Sequence, residues 1–201
     1  MERLHCLRLI QAQLTPEDVV VLGVGSTILD WYRTGVEHRL SYPAYDPMGV
    51  APAEALGLAL AVPERQVVLI EGDGDLLMSL GSLATIAGAG ARNLKVIVFQ
   101  NNCYESTGMQ PLANGASLDF AKFAEASGLQ AVFTAASLLE AREAIAALLA
   151  AEGPAVLVLR MSPAVCDYPP PPEWSPQEER VLFMQALKES RSARPPEAVG
   201  R

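Results

Sequence analysis

The chain has 201 residues, half of them apolar, which suits one sizeable α/β domain with some extra chain and is too hydrophobic for a disordered one. Its formal net charge is −8 with no basic stripe, which argues against nucleic acid or an anionic membrane surface as the main partner. Three widely spaced cysteines, Cys6, Cys103 and Cys166, make neither a zinc spacing nor a disulfide framework; they read as packing residues, and a reducing cytoplasm is the expectation.

In chain order, Met1 to Gln13 reads as a short polar-faced helix rather than a signal sequence or a membrane span. Val19 to Leu22 is a short β-branched strand. The Gly23-Val24-Gly25 after it lacks the third glycine of a dinucleotide fingerprint, Ile28 standing there instead, and reads as a tight βα turn. His5 and His38 have no nucleophile motif near them and read as surface residues. Helical patterns at Met48 to Ala61, Leu76 to Ala89 and Leu118 to Gly128 alternate with strands at Gln66 to Ile70, Leu94 to Gln100 and, more weakly, Ala131 to Thr134. A helix over Ser137 to Ala151 follows, with Ser137 as N-cap and Glu140 in the first turn, and then a strand at Ala155 to Arg160.

This alternation predicts right-handed βαβ units in a doubly wound parallel sheet with helices on both faces. Residues 1–165 form the α/β domain. Residues 166–201 add a proline-rich segment, "CDYPPPPEW", then a helix opening at Ser175-Pro176 and running to about Ser190, then a tail, all packed on the same domain.

Two strand ends stand out. "VVLIEGDGD" runs from a buried strand into Gly72-Asp73-Gly74, and "VIVFQNN" runs from another into Asn101-Asn102. Open α/β sheets bind ligands outside the carboxyl ends of their strands. A carboxylate oxygen from Asp73 and an amide oxygen from Asn101 suit a magnesium shell completed by carbonyl and phosphate oxygens, and the amides of Gly74 and Asp75 open a helix able to receive an anion. A carboxylate placed for metal rather than for stability should be removable at little cost to the fold.

With Gly72-Asp73-Gly74, the 26 residues 75–100 and then Asn101-Asn102, the sequence resembles the thiamine-diphosphate enzymes. "YPAYDPMGVAPAEALGLALAVPERQVVLIEGDGDLLMSLGSLATIA" and "NNCYESTGMQP" are similar to the diphosphate-binding half of the sulfopyruvate and phosphonopyruvate decarboxylases, and the likeness runs over about residues 19–188. The resemblance implies a thiamine-diphosphate-binding fold, with Asp46, Met48, Gly49, Gly72, Asp73, Gly74, Asp75, Asn101, Cys103, Tyr104 and Glu105 around thiamine diphosphate and Mg²⁺. Aligned on Tyr104, the implied metal ligands are Asp73, Asn101 and the carbonyl of Cys103, with Asn102 as the alternative to Asn101. Met48 matches the apolar residue that props the bent cofactor, and the Asp46 carbonyl falls where the family bonds the aminopyrimidine. Asp46-Pro47 departs from the small residues usual there.

In the family the cofactor's thiazolium ring adds to the ketone of a 2-oxo acid and takes up the electrons released with carbon dioxide. A glutamate on a second, pyrimidine-binding domain activates it. No residue here matches that glutamate, so the resemblance implies a carboxy-lyase subunit whose activating group comes from a partner chain in a hetero-oligomer, with self-association also expected. Glu105, Ser106, Thr107 and Gln110 either face substrate or partner or form a hydrogen-bonded surface loop. An acetolactate-synthase-like carboligating subunit and a non-catalytic cofactor-binding or regulatory protein are the alternatives.

Overall fold

The computed structural model describes residues 1–164 and 174–192; the proline-rich segment and Cys166 lie outside the described residues. Six parallel strands form one sheet: β1 (Val19–Leu22), β2 (Ser41–Pro43), β3 (Val67–Gly72), β4 (Leu94–Gln100), β7 (Ala131–Ala135) and β8 (Ala155–Arg160), in the spatial order β2-β1-β3-β4-β8-β7. A two-residue hairpin, β5 (Cys103–Tyr104) and β6 (Gln110–Pro111), stands apart.

Strand residues alternate between two apolar layers, as a period of two requires. Val19, Val21, Val67, Leu69, Val96 and Val98 face α3 (Ala51–Ala61), α5 (Ser82–Ala89), α6 (Phe120–Ala126) and α8 (Pro176–Ser192). Val20, Leu22, Val68, Ile70, Ile97 and Phe99 face α1 (Arg3–Gln11), α2 (Ser26–Arg33) and α7 (Leu138–Ala150). Burial on both faces explains the nearly unbroken Val/Ile runs. Ser137 and Glu140 form a reciprocal capping box at the start of α7. No helix of the described residues is long and apolar enough to cross a membrane.

Three elements differ from the sequence expectation. The pattern over Leu76 to Ala89 is not one helix: α4 (Asp73–Met78) ends before α5 begins. The break makes room for Gly49, held at φ +87°, where a Cβ would stand 3.1 Å from the Cβ atoms of Met78 and Ser79. The helix expected from Met48 starts at Ala51 because residues 47–50 form that turn. Ser41-Tyr42-Pro43, three residues with a proline, is an edge strand, the one place a sheet tolerates proline.

From β1 the chain winds outward to β2 and then returns to the other side of β1 as β3. The winding therefore reverses between β1 and β3, and a crevice opens outside their carboxyl ends.

Candidate cofactor site

A cavity of about 250 Å³ occupies that crevice. Its walls come from the segment after β1 (Val24 to Thr27), the end of β3 with the start of α4 (Gly72 to Asp75), and the segment after β4 (Asn101 and Cys103 to Thr107), with Arg3, Met48 and Phe99. Nine of the eleven residues expected around a cofactor thus line one cavity: Met48, Gly72, Asp73, Gly74, Asp75, Asn101, Cys103, Tyr104 and Glu105. Asp46 and Gly49 stand one step behind the wall. The Asp46 carboxylate is turned to Arg180, and the Gly49 amide donates to Asp75 Oδ1.

Asp73 is almost wholly buried and ties the two turns together. Its Oδ1 accepts from the Gly74 amide at 2.8 Å; its Oδ2 accepts from the amides of Asn101 at 3.0 Å and Asn102 at 2.6 Å. Burial pushes its pKa up to about 6 against the pull of these three amides, with Glu105 adding to the rise. The expectation that Asp73 is dispensable for the fold is therefore revised: alanine here would strand three backbone donors. A carboxylate offers about four lone-pair positions, so Oδ1 keeps one for a further ligand.

The Asn pair is divided by the backbone. Asn101 is buried at the cavity wall, and its side-chain oxygen accepts from the Cys103 amide at 3.0 Å, leaving one lone pair. Asn102 takes φ +62°, and its side-chain oxygen accepts from Gln100 Nε2 at 3.0 Å, in a different cavity beside Leu118 and Asp119. Gly74 is required by close packing: a Cβ there would lie 2.7 Å from two ring carbons of Tyr104.

Glu105 is no free surface residue. Arg3 Nη2 donates to its Oε2 and the Ala164 amide to its Oε1, while Arg3 Nη1 pairs with Asp30 at 3.0 Å. Ser106 and Thr107 stand at the cavity rim, whereas Gln110 is bonded to Thr107 and lies off the wall. Behind the wall, Glu71 is fully buried at the end of β3; burial, then Asp75, raises its pKa well above the carboxylate range.

The segment expected to be only a βα turn, Gly23-Val24-Gly25, also forms a wall. Gly25 is the N-cap of α2 at φ +100°, and a Cβ on it would stand 2.8 Å from Ser106 Oγ. Ser26 Oγ and Ser106 Oγ are hydrogen-bonded at 3.2 Å, which joins this segment to the one after β4. A glycine-rich turn opening a helix was the available signal, since helix N-termini present unpaired amides to anions. Arg3 carried no signal, because its place at the wall depends on how α1 packs against α2.

The wall holds three acids, Asp73, Asp75 and Glu105, against one base, Arg3, itself engaged by two carboxylates. An oligophosphate entering here meets amide donors but a negative field. A divalent cation held by oxygen ligands resolves that conflict. The oxygens of Asp73 and Asn101, each with a lone pair to spare, fit such a cation.

A family model described as "Thiamine pyrophosphate enzyme, C-terminal TPP binding domain" matches residues 24–159. A phosphonopyruvate decarboxylase of Streptomyces hygroscopicus is 34% identical over 187 residues, 93% of this chain and 46% of that protein. A sulfopyruvate decarboxylase subunit beta of Methanothermobacter thermautotrophicus is 34% identical over 170 residues, 84% of this chain and 86% of the relative. The chain spans about half the length of the two similar phosphonopyruvate decarboxylases, 46% and 45%. Among solved structures, a thiamine diphosphate-dependent 4-hydroxybenzoylformate decarboxylase of Rhodococcus jostii superposes with a TM-score of 0.70 at 21% identity, over 83% of this chain and 33% of that one. The Gly-Asp-Gly turn, the crevice at the winding reversal and a family match over well more than half of the residues agree: the chain belongs to the thiamine pyrophosphate enzymes and carries their C-terminal TPP-binding domain.

Proposed function

We propose that this chain is the diphosphate-binding subunit of a thiamine-diphosphate- and Mg²⁺-dependent 2-oxo acid decarboxylase acting on a sulfopyruvate- or phosphonopyruvate-like substrate. The observation that carries the reading is that Asp73 and Asn101 line one cavity outside the strand ends, with acids outnumbering its one engaged base. When bound, the cofactor supplies the carbon nucleophile and the electron sink for loss of carbon dioxide.

Asp73 Oδ1, Asn101 Oδ1 and the Cys103 carbonyl hold the cation. The amide of Asp75, and those at the start of α2, would receive the diphosphate, while the Gly74 amide stays on Asp73. Met48 stands at the wall as the apolar prop, and Glu105, locked by Arg3, keeps the segment after β4 in place. The activating glutamate and part of the substrate pocket belong to a pyrimidine-domain partner. Arg3 is already engaged, so the second acid group of the substrate is met from the partner's side. The named relatives support the substrate class, and the sulfopyruvate decarboxylase beta subunits among them support the division into subunits.

Carbon dioxide release from sulfopyruvate, phosphonopyruvate and pyruvate tests the proposal, using the chain alone and then co-expressed with a neighbouring gene product bearing the pyrimidine-domain pattern. Turnover is expected only for the pair, and faster with the two acidic substrates than with pyruvate. Full turnover by the chain alone would overturn the division of labour, and a preference for pyruvate would overturn the substrate class.

A further inference from the structure

The C-terminal helix α8 lies outside the family match, which ends at residue 159, yet it grips the segment that carries Met48. Met48 is 39% exposed, so its own packing does not fix it, and its position depends on its flanks. On one flank the Gly49 amide is bonded to Asp75. On the other, two side chains of residues 42–46, Tyr42 and Asp46, are held by Arg180 near the start of α8.

Glu179 is only 8% exposed. Its Oε1 accepts from the Tyr32 hydroxyl at 2.7 Å, which ties α8 to the end of α2. Arg180 donates to the Tyr42 hydroxyl and to Asp46 Oδ2, both at 2.9 Å, with its guanidinium carbon 5.8 Å from the centre of the Tyr42 ring. Tyr42 passes the contact on to Glu54 of α3 at 2.9 Å, and one turn further along α8 Phe183 packs on the same ring at 5.3 Å.

Resting on the cofactor reading above, we propose that Arg180 is a positioning residue that clamps segment 42–48, with Glu179 fastening its helix to α2, so that Met48 is held at the cavity wall before cofactor arrives. The two act differently. Arg180 is more than half exposed, and exposed ion pairs add little to global stability; its effect is local. Glu179, itself buried, accepts the Tyr32 hydroxyl of α2, and charged hydrogen bonds of this kind are worth about tenfold or more in a local equilibrium.

The test compares the full-length chain with Glu179→Ala, Glu179→Gln, Arg180→Ala and Arg180→Lys. Hydrogen exchange, read by mass spectrometry without cofactor, follows peptides covering residues 42–50, with β4 as internal reference. Titration with thiamine diphosphate and Mg²⁺ reports affinity. Expected are about tenfold faster exchange over 42–50 in Glu179→Ala, unchanged exchange in β4, and affinity about tenfold weaker. A smaller change of the same kind is expected in Arg180→Ala, with recovery in Glu179→Gln and Arg180→Lys. Unchanged exchange over 42–50 in Arg180→Ala and Glu179→Ala, or an equal rise in every segment, would overturn the clamp. Should the unmodified chain bind no thiamine diphosphate, the cofactor reading falls; the exchange data still decide whether α8 holds the segment.

Discussion

Asp73→Asn is expected to weaken Mg²⁺-dependent thiamine diphosphate binding by more than about 100-fold while lowering the melting transition of the free chain clearly less than Asp73→Ala does. Even outer-sphere changes at metal sites cost about 10–100-fold in affinity, and Asp73 is the one carboxylate proposed to bind the ion directly. Asparagine has the same shape. Its oxygen, at the place of Oδ2, keeps the Asn101 and Asn102 amides, and only the bond to Gly74 is lost. Burial already lifts the pKa of this carboxyl to about 6, so a neutral group is tolerated there in the absence of metal. Alanine differs, because it leaves three amides unmet at about 1–3 kcal/mol each if they stay dry. At about 2–4 °C per kcal/mol for a domain of this size, Asp73→Ala should melt visibly earlier. Titration calorimetry and circular dichroism melts of both variants check this pair of outcomes. Wild-type affinity in Asp73→Asn would remove Asp73 from the metal site.

Gly74→Ala should damage both fold and site. Its Cβ would arrive 2.7 Å from Tyr104 Cδ1 and Cε1 and 3.3 Å from Leu112 Cδ2. Real side chains do not approach so closely, so the Tyr104 ring must move, and with it the β5–β6 hairpin that begins at Cys103. Overpacking of this kind costs about 1–3 kcal/mol, and the proposed metal-binding carbonyl of Cys103 moves with the ring. A lowered melting temperature together with weakened cofactor binding is the expected result, and Tyr104→Ala in the same chain should relieve the clash and recover part of the stability. If the double variant is no more stable than Gly74→Ala, Tyr104 is not the obstacle.

Much of the fold was legible because β1, β4 and β8 are buried on both faces and spell themselves as Val/Ile/Leu runs. The end of β3 was harder to read. Glu71 is a poor strand residue by composition, yet it is fully buried and still pairs with Val98 of β4. The break between α4 and α5 left no mark in the hydrophobic period, since it is imposed by Gly49, a residue distant in sequence. At the site, Gly72-Asp73-Gly74 and Asn101 were readable because acid and amide groups at strand ends break local preference. The choice between Asn101 and Asn102 rests on one backbone angle and on the Gln100 side chain, neither visible in the chemistry of two adjacent asparagines. Arg3 and the α8 clamp are tertiary: Arg180 meets Asp46 across 134 positions, and Arg3 meets Glu105 across 102.

Isothermal titration of thiamine diphosphate into the purified chain, once with Mg²⁺ and once with a chelator of divalent ions, bears most directly on the central claim. The cavity presents three carboxylates and a single base that is already paired, so the diphosphate should bind only when a cation bridges it to Asp73 and Asn101. The expected result is one site per chain in Mg²⁺ and no detectable heat with the chelator. Equal affinity under both conditions would contradict the metal-bridged site, and absence of binding under both would contradict the cofactor assignment itself.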